Sequence, residues 1–238
     1  MAVYPDATYR PLNEFSDAGR RPWLGVVLHV NDGDAPSLYD WIAGNNDMSC
    51  HWQVAKNGQV EQYVDTDNAA WCQMDGNADY LSIETQGFPT EQLTTSQVSA
   101  ISRLLAWLND THGIPLRVAD EPGQAGFGWH GMGGQAWGGH TGCPGELRKA
   151  QMQTVLDLAE AIEQPGPAEI GDDDMAFFAQ DISTEKVYLV NATGLHLVND
   201  EERLVTAACL GITSKVTVHK PTPQITILQD VLGRANQL

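Results

Sequence analysis

Apolar positions along the chain recur with two different spacings, and the change of spacing separates strands from helices. WLGVVLHV, residues 23–30, is a continuous valine-rich run ending in a histidine, the pattern of a buried strand. Residues 36–43 open on a proline at a first-turn position and predict a short helix. HWQVAKNGQVEQYV, residues 51–64, alternates on either side of Asn57-Gly58, a two-residue turn signal, and predicts a hairpin. YLSIETQG, residues 80–87, predicts another strand, with Glu84 near its end. Over residues 94–113 the period becomes helical. Val98, Ile101, Leu104, Leu105 and Leu108 share one face, a Thr or Ser can cap the start, and Gly113 stops the helix. Residues 144–164 predict a second helix, with Pro144 near its N-terminus and Leu147, Met152, Val155, Leu158 and Ile162 as its apolar positions.

Residues 165–174, PGPAEIGDDD, break both periods with prolines, glycines and acids, and predict a linker. Beyond it, residues 175–238 alternate short β-like pieces (MAFFAQ, KVYLV, KVTVH, QITIL) with a helical piece near 199–209. The organisation expected is a first domain over 1–164, the linker, and a small α+β domain over 175–238. Strands interspersed with helices make the first domain α/β, with a central sheet flanked by helices.

The chain has 238 residues, enough for one large domain or one domain plus a small one, and 42% of them are hydrophobic. Thirteen Lys and Arg against 31 Asp and Glu give a net charge of -18, which argues against a nucleic-acid partner. No apolar run has the length of a membrane span, so membrane insertion is not expected. MAVYPDATYRPLNEF lacks the charged and apolar regions of a signal peptide. The four cysteines, Cys50, Cys72, Cys143 and Cys209, form no disulfide framework, which leaves them as core residues or metal ligands.

Chemistry concentrates in GWHGMGGQAWGGHTGCPG, residues 128–145, where His130, His140 and Cys143 stand among glycines. Glycine costs backbone entropy wherever it is ordered, so a run this rich predicts close approach at a site. His29 at a strand end, His130 and Cys143 make a candidate metal centre: three protein ligands and an open position are the usual form of catalytic zinc. His140 competes with His130 for the second position. A closed structural zinc site, with His140, Cys50 or Cys72 as a fourth ligand, is a further reading.

The order of these pieces resembles the zinc-dependent N-acetylmuramoyl-L-alanine amidases of the type-2 amidase and peptidoglycan-recognition-protein superfamily. VVLHVNDG, SCHWQVAKNGQVEQYV, AAWCQMDGNADYLSIETQG and WHGMGG…HTGCPG carry the resemblance, over about residues 20–163. The W-H-G-M-G-G wording is most similar to endolysins of phages that infect actinobacteria. The resemblance implies a central mixed sheet flanked by helices, with His29, His130 and Cys143 as Zn2+ ligands. It implies Glu84 as general base for the attacking water, and Thr141 or His140 as the group that steadies the developing oxyanion. Trp52, Trp71, Trp129 and Trp137 are candidate walls for a sugar and peptide stem. Expected function is hydrolysis of the amide between N-acetylmuramic acid and L-alanine in bacterial peptidoglycan, during host lysis. The protein would be made in the host cytoplasm and act on the wall after release. The alternative is a non-catalytic peptidoglycan-binding module. Two positions depart from the pattern: Cys50 stands where many relatives have Tyr, and Cys72 where they commonly have His.

Overall fold

The computed structural model describes residues 2–12, 22–44 and 47–163, and the backbone of four strands between 177 and 218. The chain divides into two compact units, Met1–Gln164 and Pro165–Leu238. In the first unit the elements run β1 (Thr8–Tyr9), β2 (Gly25–Leu28), α1 (Tyr39–Ala43), β3 (Trp52–Val54), β4 (Val60–Gln62), β5 (Tyr80–Thr85), α2 (Thr95–His112), β6 (Gly126–Trp129), α3 (Glu146–Lys149) and α4 (Met152–Glu163).

Six strands form one mixed sheet in the order β1-β4-β3-β5-β2-β6. The hairpin β3–β4 is antiparallel, while β3, β5, β2 and β6 run parallel to one another. Every residue of β2 and β5 is buried, which is why they read as unbroken apolar runs: parallel strands are covered on both faces. Each fully buried Val, Leu or Ile there contributes about 1.5–3 kcal/mol. Helix α2 packs against α4, and Ser102 Oγ of α2 donates to the Val155 carbonyl across that contact at 2.9 Å. A second cluster, Leu12, Leu38, Ile42, Cys50 and Tyr63, anchors α1.

Helix α2 begins and ends where its sequence dictates. Thr94 caps it in a reciprocal capping box with Gln97, and Gly113 closes it in the left-handed region at φ 68°. The hairpin differs from its expected two-residue turn. Ala55 donates to Gln59 O at 2.9 Å and Gly58 to Ala55 O at 2.8 Å, so three residues are enclosed and Gly58 takes the left-handed position. The single helix expected over 144–164 is instead two, α3 and α4. Between them Gln151 holds both backbone groups of Leu93, accepting at 2.7 Å and donating at 3.1 Å, and Leu147 is left exposed. The glycine-rich run contains the strand β6 and, over His130–Trp137, two short 3-10 turns that meet at Gly134.

In the second unit, β7 (Phe177–Asp181), β8 (Val187–Asn191), β9 (Gly194–Val198) and β10 (Lys215–Val218) form a sheet in the order β10-β7-β8-β9. The pair β10–β7 is parallel and the other two pairs antiparallel. QITIL and the helical piece at 199–209 lie outside the described residues. No described helix is long and apolar enough to cross a membrane.

Candidate metal centre and cleft

Strand register builds the site. Leu28 of β2 is paired with Ile83 of β5 on one side and Trp129 of β6 on the other. The next position along the three parallel strands is therefore a row: Glu84, His29, His130. Identical parity points all three side chains the same way, at the carboxyl ends of the strands, where open α/β sheets bind their ligands. Cys143 arrives from the loop before α3. The ligand atoms of His29, His130 and Cys143 all lie within 4.8 Å of one another, and the two imidazole rings are 4.4 Å apart.

Hydrogen bonds fix both tautomers. His130 Nε2 meets the Trp137 carbonyl at 2.8 Å, and a carbonyl only accepts, so Nε2 carries the proton. His29 Nε2 meets Gln73 Oε1 at 3.0 Å. The Gln73 amide nitrogen is held by the Tyr80 carbonyl at 2.8 Å and the Gly76 carbonyl at 3.4 Å, which sets its Oε1 toward His29. Both histidines thus keep their Nδ1 lone pairs free for a ligand role, each backed by an acceptor that orients the ring. Burial pushes both imidazoles below their ordinary pKa, more strongly at His29, so they are neutral and able to ligate at neutral pH.

Glu84 is buried, and its Oε2 has no hydrogen-bond partner. Its Oε1 lies 3.8 Å from His29 Nδ1. Burial raises its pKa to about 7. Burial, with Glu84 nearby, raises the Cys143 thiol to about 12; a divalent cation would reverse that shift outright. Two neutral imidazoles and a thiol fit Zn2+ as a donor set, with the unpartnered carboxylate oxygen of Glu84 beside them.

These groups line a cleft of about 600 Å³ that also includes Asp32, Trp71, Cys72, Trp137 and His140. Asp32 and Met74, both on its wall, take the left-handed region at φ 49° and 47°. His140 is exposed, its ring 5.0 Å from that of His130, beside the donor set and outside it. Thr141 lines a neighbouring cavity of about 220 Å³, together with Trp129 and Lys149, whose ammonium sits 4.1 Å above the Trp129 ring. Trp71 and Trp137 stand at the main cleft, although Trp137 is largely buried against Tyr80. Trp52 is a correction. It is fully buried, edge-on to Trp107 of α2, and cannot form a wall. Cys50 is core, and His51 is held by Ser82 Oγ and the Asn68 carbonyl, both at 3.0 Å.

The glycines have a specific use here. A Cβ on Gly133 would collide with the Trp137 ring, which lies directly on its backbone and presents the carbonyl that orients His130. Gly145, at φ 101°, passes against the Pro89 carbonyl as the chain leaves Cys143. Three residues escaped the sequence reading: Gln73, Thr85 and Arg148. Arg148 is fully buried; it donates to Thr85 Oγ1 at 2.8 Å, and Thr85 Oγ1 donates in turn to the His29 carbonyl. No local pattern marks these contacts, since each spans tens of residues.

A parallel-strand edge carrying two oriented imidazoles and a thiol defines an α/β protein with a candidate metal-site cleft. Residues 19–146 match the family described as N-acetylmuramoyl-L-alanine amidase, and the chain belongs to that family. No curated protein matches the sequence. Among solved structures it is similar to the endolysine N-acetylmuramoyl-L-alanine amidase LysCS from Clostridium intestinale URNW, with TM-score 0.50 and 16% identity over 65% of this chain and 97% of that one. It is also similar to the Staphylococcus aureus hydrolase AmiA, with TM-score 0.52 and 14% identity over 65% of this chain and 83% of that one. At these identities the likeness is one of fold.

Proposed function

We propose that the protein is a zinc-dependent amidase that hydrolyses the bond between N-acetylmuramic acid and L-alanine in peptidoglycan. The observation that carries this reading is the convergence of His29, His130 and Cys143 within 4.8 Å, beside a buried carboxylate, in a chain of the amidase family. Zn2+ held by these three residues would polarise the scissile carbonyl and acidify water. Glu84 accepts the proton of the attacking water, and its raised pKa, near neutrality, suits a base that must later give the proton up. The water oxygen bonds to the carbonyl carbon, the C–N bond breaks, and the proton passes from Glu84 to the departing L-alanine amine. His140 lines the cleft and would donate to the developing oxyanion. Thr141 lies in the adjoining cavity, so we place His140 in that role. Trp71 and Trp137 offer apolar surface to the glycan and stem.

The same proposal extends to a lysin of a phage that infects actinobacteria, made in the host cytoplasm and delivered to the wall, with residues 175–238 as a wall-targeting domain. The W-H-G-M-G-G wording supports the source, and the arrangement of an amidase, a linker and a small domain supports the targeting role. The test is digestion of purified actinobacterial walls, followed by mass spectrometry. Release of stem peptides with a free L-alanine amine, lost in Cys143→Ser and under chelation, is expected. Wall binding without new amine termini would leave a recognition module instead.

A further inference from the structure

The loop that orients His29 also brings a second thiol to it. Cys72 Sγ lies 3.8 Å from His29 Nδ1, 3.7 Å from Nε2 and 3.8 Å from Glu84 Oε1. The ligand atoms of His29, Cys72 and Glu84 all fall within 4.8 Å of one another, a second donor set that shares only His29 with the first. His29 Nε2 is committed as a donor to Gln73, which leaves Nδ1 as its one coordinating lone pair. One lone pair serves one ion. The two sets therefore compete for one ion rather than holding two.

Four side chains then compete for the three positions that His29 leaves on a tetrahedral ion. His130 and Cys143 take two. Of the remaining pair, the thiolate of Cys72 is the softer donor and the better match for zinc. Its backbone is also held in place: Asn77 Oδ1 accepts from the N–H of Cys72 at 3.0 Å and from that of Gln73 at 2.7 Å. The same short loop thus fixes the group that orients His29 and a sulfur that reaches it. Cys72 lines the cleft together with His29, His130 and Cys143.

On the reading that this cleft holds zinc, we propose that Cys72 is a fourth protein ligand. The resting ion sits among His29, His130, Cys143 and Cys72, and each thiol gives its proton to solvent as its sulfur binds. Glu84 stays uncoordinated. Cys72 would have to withdraw before water or substrate reached the ion, so the hydrolysis proposed above would begin with that release.

Cobalt(II) substitution of the full chain tests this, because thiolate-to-cobalt absorption counts the sulfurs on the metal. Per cobalt bound, Cys72→Ser and Cys143→Ser should each show about half the thiolate band of the unsubstituted protein. A band unchanged in Cys72→Ser and absent in Cys143→Ser would overturn the proposal. Cadmium-113 resonance of the unsubstituted protein gives the same count without any variant: a two-sulfur shift is expected, and a one-sulfur shift overturns the proposal. A one-sulfur count alongside amidase activity would sink Cys72 alone. Failure of the protein to bind cobalt or cadmium would sink the zinc reading and this proposal together.

Discussion

At the residue scale, Glu84 and Gln73 make separable contributions. Glu84 is a base that touches the reacting water and lies outside the proposed ligand set. Glu84→Gln should lower hydrolysis by about 100-fold or more while zinc content, read by elemental analysis, stays at the unsubstituted level. Loss of zinc in that variant would show the carboxylate to be a ligand. Gln73 acts through His29, whose Nε2 proton it accepts. Gln73→Leu should weaken zinc binding about 10- to 100-fold, measured by competition with a chelating dye, because the ring loses the partner that sets its tautomer. The metal-free protein has its own pH signature. Burial raises Glu84 to about 7, above the usual carboxylate value, so the folded state holds a proton that the unfolded state releases. The stability this confers is full below about pH 4 and is lost as pH rises through 7, amounting to about 3 kcal/mol in the limit. The buried, neutral His29 and His130 act with the opposite sign below about pH 6.5, so the Glu84 contribution is the difference between melts of chelated unsubstituted protein and Glu84→Gln, and that difference should fall as pH rises from about 5 to 8.

At the element scale, the site depends on strand ends being held in register, and Arg148 is the brace. Its guanidinium reaches Thr85 Oγ1, the Gln86 carbonyl at 3.1 Å and the Phe88 carbonyl at 3.4 Å, all at the end of β5. Arg148→Ala would remove the donor to Thr85 Oγ1 and empty a fully buried site, and should cost on the order of 3 kcal/mol in chemical denaturation. Arg148→Lys should recover only part of it, since an ammonium lacks the planar fork. What the sequence shows about these elements follows from the range of the forces that make them. β2, β5 and α2 are legible because burial periodicity and the Thr94–Gln97 cap are local. β6 is hidden: GFGW has two glycines in four residues and reads as loop, yet pairing with β2 along its whole length makes it a strand. The break between α3 and α4 is hidden for the same reason, since it depends on Gln151 meeting Leu93. His29, His130 and Cys143 were readable because their neighbours carry a family pattern. Gln73 and Arg148 were not, because a polar residue in a loop or short helix announces no partner. Trp52 misled for a related reason: aromatic rings suit clefts and cores equally, and only contact with Trp107 separates the two.

At the scale of the whole molecule, the metal should divide the chain's stability unevenly. The candidate ligands all belong to Met1–Gln164, and Pro165–Leu238 is a separate compact unit. A ligand that binds only the folded form stabilises it by RT ln(1 + [L]/Kd), about 4 kcal/mol at a thousand-fold excess over Kd. For a unit of this size each kcal/mol moves the midpoint by about 2–4 °C, so zinc should shift it by about 10 °C. Calorimetry of the full chain should therefore show two transitions. Only one should move when zinc is removed, and it should be the one that Cys143→Ser also lowers. Movement of both together would mean that the second unit unfolds with the first. Residues 165–174, rich in proline, glycine and acids, have the composition expected of a linker, and on that expectation the two units unfold independently. The net charge of -18 sharpens the expectation: with 31 acids against 13 bases, lowering the salt should strengthen repulsion within the chain and loosen any coupling further. The zinc-dependent transition should therefore stay separate at low ionic strength, where a salt-bridged pair of units would instead fuse into one.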